Sequence, residues 1–118
     1  MARVDDDTRT SDAGVLKLES GRDGDTHRLR LLGEFDLSGA RAFEEEIARI
    51  EADHASRLVI DMSTLEFMDS TGLRLLLETD MRHRENERGC RVQYVRPVGE
   101  VARLLELTRV DERLDFIE

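Results

Sequence analysis

The sequence predicts a single α/β domain built on a mixed sheet, and three features of the chain lead to this prediction. Apolar segments of strand length alternate with segments that carry apolar residues at helical spacing, as in largely parallel sheets. The first two strand-like segments are joined by a turn too short for a crossover, so the sheet should open with an antiparallel hairpin. A chain of 118 residues can bury one core but not two. We therefore expect a mixed sheet, antiparallel at its start and then parallel, packed with about three to four helices.

The composition is that of a folded protein with a strongly solvated surface. Hydrophobic residues make up 39% of the chain and charged residues 38%. The net charge of −9 disfavours nucleic acid and anionic membranes as partners and favours a basic protein surface. Cys90 is the single cysteine, which excludes an internal disulfide. No run of Leu, Ile, Val or Phe exceeds three residues, so we expect a cytoplasmic protein without a membrane span.

The start of the chain is predicted to be a tail followed by a hairpin. Residues 1–13 are polar and include three consecutive aspartates, so we expect a flexible acidic tail and a domain over residues 14–118. Residues 15–19 should form a strand, and residues 21–25, rich in Gly and Asp, a turn. Apolar and basic residues then alternate as in a half-buried strand, which should pair antiparallel with the first: Arg28, Leu29, Arg30, Leu31 and Phe35.

Helices and parallel strands are predicted for the rest of the chain. A first helix should bury Ala40, Phe43, Ile47 and Ile50. Residues 57–62 contain three consecutive apolar residues, which is typical of an interior parallel strand. The second helix should bury Leu73, Leu76, Leu77 and Met81 and end at Gly89. After a strand at residues 91–96, Pro97 should lie in the first turn of a third helix, and the core should also contain Val101, Leu104, Leu105, Leu114, Phe116 and Ile117.

Residues 68–72, with the sequence MDSTG, are the most informative segment for function. They follow an apolar strand and precede an apolar-faced helix, and they place two hydroxyls between an Asp and a Gly. The first turn of a helix leaves backbone amides unpaired and favours a negative charge, so a phosphate on Ser70 would be stabilised there. The alternative is a helix cap without further function, since Asp, Ser and Thr all cap well.

Three segments together resemble the signature of the STAS family, the bacterial anti-sigma factor antagonists. They are residues 32–36 (LGEFD), 58–61 (LVID) and 67–73 (FMDSTGL), and residues 101–107 resemble the third helix of the family. The resemblance extends over residues 15–118 in register. It implies a STAS-like fold for the domain.

The resemblance also implies a phosphorylation switch. In this family the first hydroxyl of the motif, here Ser70, accepts phosphate from an anti-sigma factor that is a serine kinase. The unphosphorylated antagonist binds that kinase and frees the sigma factor, and the phosphorylated antagonist is released. The amides of Thr71 and Gly72 are expected to hold the phosphate. We expect no cofactor or metal, and a monomer or weak dimer.

Further roles near Ser70 follow from the same resemblance, each with a structural alternative. Asp36 should lie close to Ser70, where it orients the hydroxyl or docks the kinase, unless it only forms a turn. Asp69 should cap the helix and contact the partner. Gly72 should allow close approach of the partner or tight packing.

The remaining polar residues are given structural roles. Asp61 at a strand end should be structural. The histidines lack metal-ligand spacing and should be exposed: His27, His54 and His83. Cys90 should be a buried, inert thiol rather than a redox sensor.

Three other classes of protein are alternatives to an anti-sigma factor antagonist. A hydrolase with Ser70 as nucleophile would have Gly two residues earlier, where this chain has Met68, and His83 lies too far along the same helix to act as its base. A receiver domain phosphorylated on Asp61 would need a Lys after a late strand, but the sole Lys is Lys17. A STAS scaffold subunit of a stress-signalling complex remains an alternative, which would assemble into a large particle.

Overall fold

The computed structural model describes residues 9–13, 15–85 and 89–117, and within these ranges six strands form one sheet beside three α-helices. The strands are β1 (Arg9–Ala13), β2 (Leu16–Asp23), β3 (Thr26–Phe35), β4 (Arg57–Asp61), β5 (Leu65–Met68) and β6 (Arg91–Val95). The helices are α1 (Ala40–Ala52), α2 (Ser70–Glu85) and α3 (Gly99–Leu107), with short 3-10 helices at Leu37–Gly39 and Val110–Glu112.

The sheet is antiparallel on one side and parallel on the other. Strands β1, β2 and β3 pair antiparallel, whereas β3–β4 and β4–β6 pair parallel. The long strand β3 has two parallel neighbours on one side, because its first half pairs with β4 and its last residues pair with β5. This arrangement confirms the predicted mixed α/β fold with its antiparallel opening hairpin.

Strand β1 differs from the sequence-based expectation. Its residues, Arg9–Ala13, were placed in the acidic tail, but they pair in register with β2, with Arg9 opposite Ser20 and Ala13 opposite Leu16. The segment is polar, so the hydrophobic pattern could not identify it as a strand. The tail residues before Arg9 lie outside the described part of the chain.

Strand β5 differs from the expectation too, since the sequence predicts no strand between residues 57–62 and the second helix. Its two middle residues, Glu66 and Phe67, are both exposed, and a strand with that pattern shows no alternation in the sequence. The strand forms because Gly33, Glu34 and Phe35 of β3 extend beyond β4 and offer a free ladder edge to it. This pairing places the beginning of α2 beside the end of β3.

The core lies between the sheet and its helices. Strand residues contribute Leu29, Leu31, Phe35, Leu58 and Ile60, and α1 contributes the predicted Phe43, Ile47 and Ile50. Gly33, at a φ of 84°, lies where the residue before β2 approaches β3 closely, because a Cβ there would lie 2.1 Å from the Val15 carbonyl oxygen.

The buried face of α2 is rotated relative to the prediction. Leu76 is buried as expected, but Met81 is 43% exposed, and the buried residues of the helix are Gly72, Leu75, Leu76, Thr79, Asp80 and His83. The prediction of Met81 in the core is wrong because Asp80 and His83 have polar partners inside and can take the inner face. Pro97 lies just before α3 and not in its first turn, since Val98 is the N-cap.

None of the helices in the described ranges is long and apolar enough to cross a membrane.

Candidate functional site

The ends of β3 and β5 bring Asp36 and Asp69 to the same edge of the sheet. Phe35 and Met68 are paired across the two parallel strands, and each aspartate follows one of them. The Asp69 N–H also donates a hydrogen bond of 3.2 Å to the Phe35 carbonyl oxygen. Because neighbouring strands lie about 4.8 Å apart, the segments that carry the two aspartates start side by side. We call this edge, with the first turn of α2, the carboxyl edge.

Asp69 is the N-cap of α2. Its Oδ1 accepts hydrogen bonds from the Thr71 N–H at 2.9 Å and from the Gly72 N–H at 3.1 Å. A short side chain one residue ahead of a helix reaches those amides readily, and its negative charge suits the helix start. The capping interpretation is thus correct for Asp69.

The same contacts concern one expectation. The amides of Thr71 and Gly72 were expected to hold a phosphate on Ser70, but the Asp69 carboxylate already occupies both. A phosphate on Ser70 would therefore meet a negative charge where free donors were predicted.

Ser70 is the first residue of α2 and its side chain is exposed. Within the described ranges, no hydrogen bond to its hydroxyl is formed, since Asp69 supplies the cap. The hydroxyl is therefore free to react and is accessible from solvent.

Asp36 begins the short 3-10 helix at Leu37–Gly39. Its Oδ1 accepts hydrogen bonds from the Ser38 N–H at 3.0 Å and from the Ser38 hydroxyl at 2.7 Å. These contacts are those of a turn-forming aspartate. Among the described residues, Oδ2 has no hydrogen-bond partner, so the half-buried carboxylate keeps one oxygen for another contact.

Gly72 is buried against β3 and β5. A Cβ at this position would lie 2.5 Å from the Phe35 carbonyl oxygen and 2.9 Å from the Phe35 ring. No side chain fits there, so tight packing explains this glycine.

Asp61 has the structural role that was predicted. Its Oδ1 accepts from the Ser63 N–H at 2.9 Å and from the Ser63 hydroxyl at 2.7 Å, and its Oδ2 lies 3.7 Å from Arg30 Nε. The contacts with Ser63 repeat those between Asp36 and Ser38 at the end of β3.

Sequence reasoning missed two residues at the carboxyl edge. Leu37 follows Asp36 and is 72% exposed, and Phe67 of β5 is 44% exposed. In the sequence each is an apolar residue beside an acid, and nothing in the pattern distinguishes such a residue from one that is buried.

The prediction that the histidines are exposed is correct for His54 and wrong for the other two. His83 is buried, its Nδ1 lies 2.8 Å from the Thr79 carbonyl oxygen, and its Nε2 lies 3.2 Å from Glu51 Oε2. His27 is buried with Nδ1 lacking a hydrogen bond and lying 3.7 Å from Asp53 Oδ2. Burial lowers the pKa of His27, and the nearby Asp53 only partly offsets this effect.

Cys90 is half-buried rather than fully buried. Burial, with a smaller contribution from Glu51, raises the pKa of the thiol, so little reactive thiolate forms at neutral pH. In the described part of the chain, no three His, Cys, Asp or Glu side chains are grouped so that they could hold a metal ion.

Comparison with known proteins finds one family over most of the chain. The family model described as Mlab, STAS domain, matches residues 18–118. The anti-sigma-F factor antagonist RsfB of Mycobacterium tuberculosis is 47% identical over 51 residues, which are 43% of this chain and 42% of that protein. The match therefore spans less than half the length of this curated relative.

Two solved structures are similar over more of the chain. The crystal structure of an anti-sigma factor antagonist from Mycobacterium paratuberculosis is 27% identical with a TM-score of 0.65, over 92% of this chain and 82% of that chain. The phosphorylated form of the Bacillus cell fate determinant SpoIIAA is 21% identical with a TM-score of 0.63, over 86% of this chain and 91% of that chain. The similarity to SpoIIAA shows a shared fold.

Proposed function

This chain belongs to the STAS domain family, and from that premise we propose that it is an anti-sigma factor antagonist. Two similar proteins, RsfB of Mycobacterium tuberculosis and the Mycobacterium paratuberculosis protein, are named for that role. In the proposed cycle the unphosphorylated chain binds a serine-kinase anti-sigma factor, which then releases its sigma factor. Phosphorylation of Ser70 ends the binding. The protein acts in the cytoplasm as a regulator and uses no cofactor.

The observation that carries this proposal is the free hydroxyl of Ser70. It is exposed at the first position of α2, and the capping contacts that would otherwise occupy it are made by Asp69. A kinase can approach such a hydroxyl without breaking a hydrogen bond of the fold. Substitution there should affect signalling more than stability.

Electrostatics supports release of the phosphorylated form. A phosphate carries about −1.5 to −2 charges at neutral pH. On Ser70 it follows directly after the Asp69 carboxylate, and Asp36 lies on the neighbouring segment. Because Asp69 accepts from the amides of Thr71 and Gly72, the new charge would compete with a carboxylate for those donors. The phosphate therefore extends toward the partner, where repulsion and desolvation oppose docking.

The other residues of the motif support Ser70 in different ways. We propose that Asp69 fixes the start of α2 and also contacts the partner, and that Thr71 lies at the partner surface. Gly72 lets α2 approach β3 closely enough to hold Ser70 at the carboxyl edge. The second carboxylate oxygen of Asp36 is proposed to position the hydroxyl or to dock the kinase.

The positions of the three histidines do not support a hydrolase in which Ser70 is the nucleophile and a histidine is its base. His83 lies thirteen residues after Ser70 on the same helix, or about 20 Å away at 1.5 Å per residue. His27 lies at the other end of β3, about 30 Å before Asp36 at 3.3 Å per residue. His54 follows the last turn of α1. The proposed activity is accordingly regulatory and not enzymatic.

Phosphorylation in vitro tests the proposal directly. Candidate serine-kinase anti-sigma factors are incubated with the protein and ATP, and the modified residue is located by mass spectrometry. We expect phosphate on Ser70, none on Ser70→Ala, and normal incorporation into the neighbouring control Thr71→Ala. Normal phosphate incorporation into Ser70→Ala would contradict the assignment.

Binding measurements test the switch. Ser70→Ala should bind the kinase whether or not ATP is present, because it lacks the acceptor oxygen and adds no charge. Ser70→Asp should bind more weakly while remaining folded, since an acid is tolerated at a helix start. Unchanged affinity of a folded Ser70→Asp variant in calorimetry would argue against release by charge.

The role of Asp36 can be resolved with Asp36→Asn, which removes the charge and keeps the turn-forming side chain. Slower phosphorylation of Ser70 with unchanged binding would assign Asp36 to positioning of the hydroxyl. Weaker binding would assign it to docking. Wild-type values for both would mean that Asp36 only forms the turn.

A further inference from the structure

Exposed apolar side chains are found at the carboxyl edge. Six large hydrophobic residues are exposed within the described ranges: Val15, Leu37, Phe67, Met81, Val98 and Leu107. Leu37 and Phe67 lie at this edge, and Val15 lies next to it, because its carbonyl oxygen accepts a hydrogen bond of 3.1 Å from the Glu34 N–H. Val98 lies just before α3, and Met81 and Leu107 lie toward the ends of α2 and α3. Single exposed apolar residues are normal on a protein surface, but a cluster beside a functional group indicates an interaction site.

Phe67 is held close to Ser70 by the chain itself. Only two residues, Met68 and Asp69, lie between them, so their Cα atoms lie within about 11 Å of each other. Phe67 pairs with Glu34 across β3 and β5, while the next pair, Phe35 and Met68, faces the core. Since side chains alternate along a strand, Phe67 is fixed on the outer side by the burial of Met68.

Leu37 lies on the neighbouring segment. It follows Asp36 and starts the short 3-10 helix whose geometry is fixed by the hydrogen bonds of Asp36 with Ser38. With 72% of its surface exposed, it contributes little to the core and is available for contact. Leu37 and Phe67 thus lie on two adjacent segments at the carboxyl edge, the edge that also carries Ser70.

Acidic residues surround this apolar surface. Glu34 and Glu66 are exposed on β3 and β5, and Asp36 and Asp69 follow those strands. A surface that complements this edge needs an apolar recess with arginine or lysine side chains around it.

We propose that Phe67 and Leu37 are the apolar anchors with which this chain docks onto its anti-sigma factor, on a recess rimmed by basic side chains. The inference rests on the proposed function and names the residues that provide affinity. An aromatic side chain that becomes fully buried on binding often dominates the energy of an interface. The proposal also explains why a phosphate on Ser70 would weaken binding, because its charge would lie beside a contact that must exclude water.

The exposed apolar residues provide matched controls for a binding test. Met81 is 43% exposed, against 44% for Phe67, and Leu107 is 72% exposed, as is Leu37. Met81 lies eleven residues after Ser70 along α2, or about 16 Å from it. Each anchor therefore has a control of equal exposure that lies away from the carboxyl edge.

The experiment measures the Kd of unphosphorylated variants for the kinase that phosphorylates Ser70, without ATP. Phe67→Ser should weaken binding about thirtyfold, and Leu37→Ser about tenfold. The controls Met81→Ser and Leu107→Ser should stay within about twofold of the wild type. Circular dichroism and thermal melting establish that each variant is folded.

Three results would separate the failure of this inference from failure of the proposed function. If the wild-type chain binds and the anchor variants bind equally well, the anchors are wrong and the function stands. Equal loss in the anchor and control variants also overturns the inference, since it would indicate a general effect of surface hydrophobicity. If no kinase anti-sigma factor binds or phosphorylates the wild-type chain, the proposed function itself fails.

Discussion

The two ends of α2 use polar residues in opposite ways. At its beginning, Ser70 is exposed and its hydroxyl has no partner among the described residues. Toward its end, Asp80 is 4% exposed and accepts hydrogen bonds from the Tyr94 hydroxyl at 2.8 Å and from Arg84 Nε at 2.7 Å. The residue that we propose to act on a partner is left free, and the residue that supports the fold has its hydrogen-bonding capacity filled.

The two ends of α2 also differ in how they are attached to the rest of the fold. The C-terminal half of α2 connects the fold through Asp80 to β6, and through His83 to Glu51 of α1. The first turn contributes its cap and the close packing of Gly72. Substitutions of exposed groups at the first turn should therefore be tolerated, whereas those of buried groups at either end should not.

The largest effect on stability is expected for Gly72→Ala. This buried residue lies in the first turn of α2, where exposed groups can be replaced at little cost. The added Cβ would lie 2.5 Å from a backbone oxygen and 2.9 Å from the Phe35 ring, so α2 must shift away from β3. We expect a loss of about 3 kcal/mol in the free energy of unfolding, measured with urea. Thr71→Ala serves as control and should change it by less than about 1 kcal/mol. An unchanged midpoint for Gly72→Ala would show that the helix start is loosely held.

Tyr94→Phe tests the saturated end. It removes the hydroxyl that donates to Asp80 and keeps the aromatic ring in the core. The expected loss is about 2 kcal/mol, because a buried carboxylate loses a donor. Burial and the neighbouring Asp80 raise the pKa of Tyr94, so the hydroxyl remains protonated and the loss should be constant from pH 6 to about pH 8. A variant as stable as the wild type would mean that Arg84 alone satisfies Asp80.

A pair of variants sharpens the comparison within the first turn. Asp69→Ala should lower the unfolding free energy by about 1 kcal/mol, since it leaves two helix amides without an acceptor. Ser70→Ala should change it by less than about 0.5 kcal/mol, because its hydroxyl caps nothing. Equal losses of unfolding free energy in chemical denaturation would mean that both residues cap the helix. This result would contradict the conclusion that the Ser70 hydroxyl makes no hydrogen bond.

The smallest effect concerns His27, a buried group whose ring nitrogen Nδ1 is unsatisfied. Its pKa is lowered in the fold, so between that value and the unfolded pKa of about 6.5 the unfolded chain binds more protons. His27 thus contributes stability that is complete above about pH 6.5 and is lost as the pH falls toward the folded pKa. Unfolding at about pH 7.5 and 5.5 should show a smaller decrease for His27→Gln than for the wild type. The exposed His54→Gln serves as control, and an identical decrease in all three proteins would contradict the prediction.

Most of the fold could be predicted because its elements follow hydrophobic patterns. The alternation from Arg28 to Phe35 identified β3, and the run at residues 58–60 identified β4. The apolar spacing from Phe43 to Ile50 identified α1. One face is buried in β3 and in α1, and both faces are buried in β4, which are the situations that such patterns report.

The errors arose where polar residues are buried or where pairing alone makes the strand. His83 and Asp80 face inward because Glu51 and Tyr94 lie opposite them, and partners distant in sequence leave no local signal. Strands β1 and β5 form on edges offered by β2 and β3. A pattern read along one segment cannot show such an edge.

The candidate site was predictable to a different degree for each residue. Ser70 and Asp69 lie in one segment, and the chemistry of a helix start was enough to single them out. The approach of Asp36 to this segment depends on the register of β3 with β5, and it was reached only through the family resemblance. The exposure of Phe67 depends on which strand face packs on the helices, and no local pattern gave it.

The shared strand β3 has a consequence for recognition. It positions Asp36 directly and Ser70 through its ladder with β5, so the two segments are fixed relative to each other by backbone hydrogen bonds. A partner that contacts both need not first restrict the motion of two independent loops, and it saves the ordering entropy of about 1–2 kcal/mol for each backbone residue that would otherwise be mobile. The surface is preorganised, and affinity can come from a small contact area.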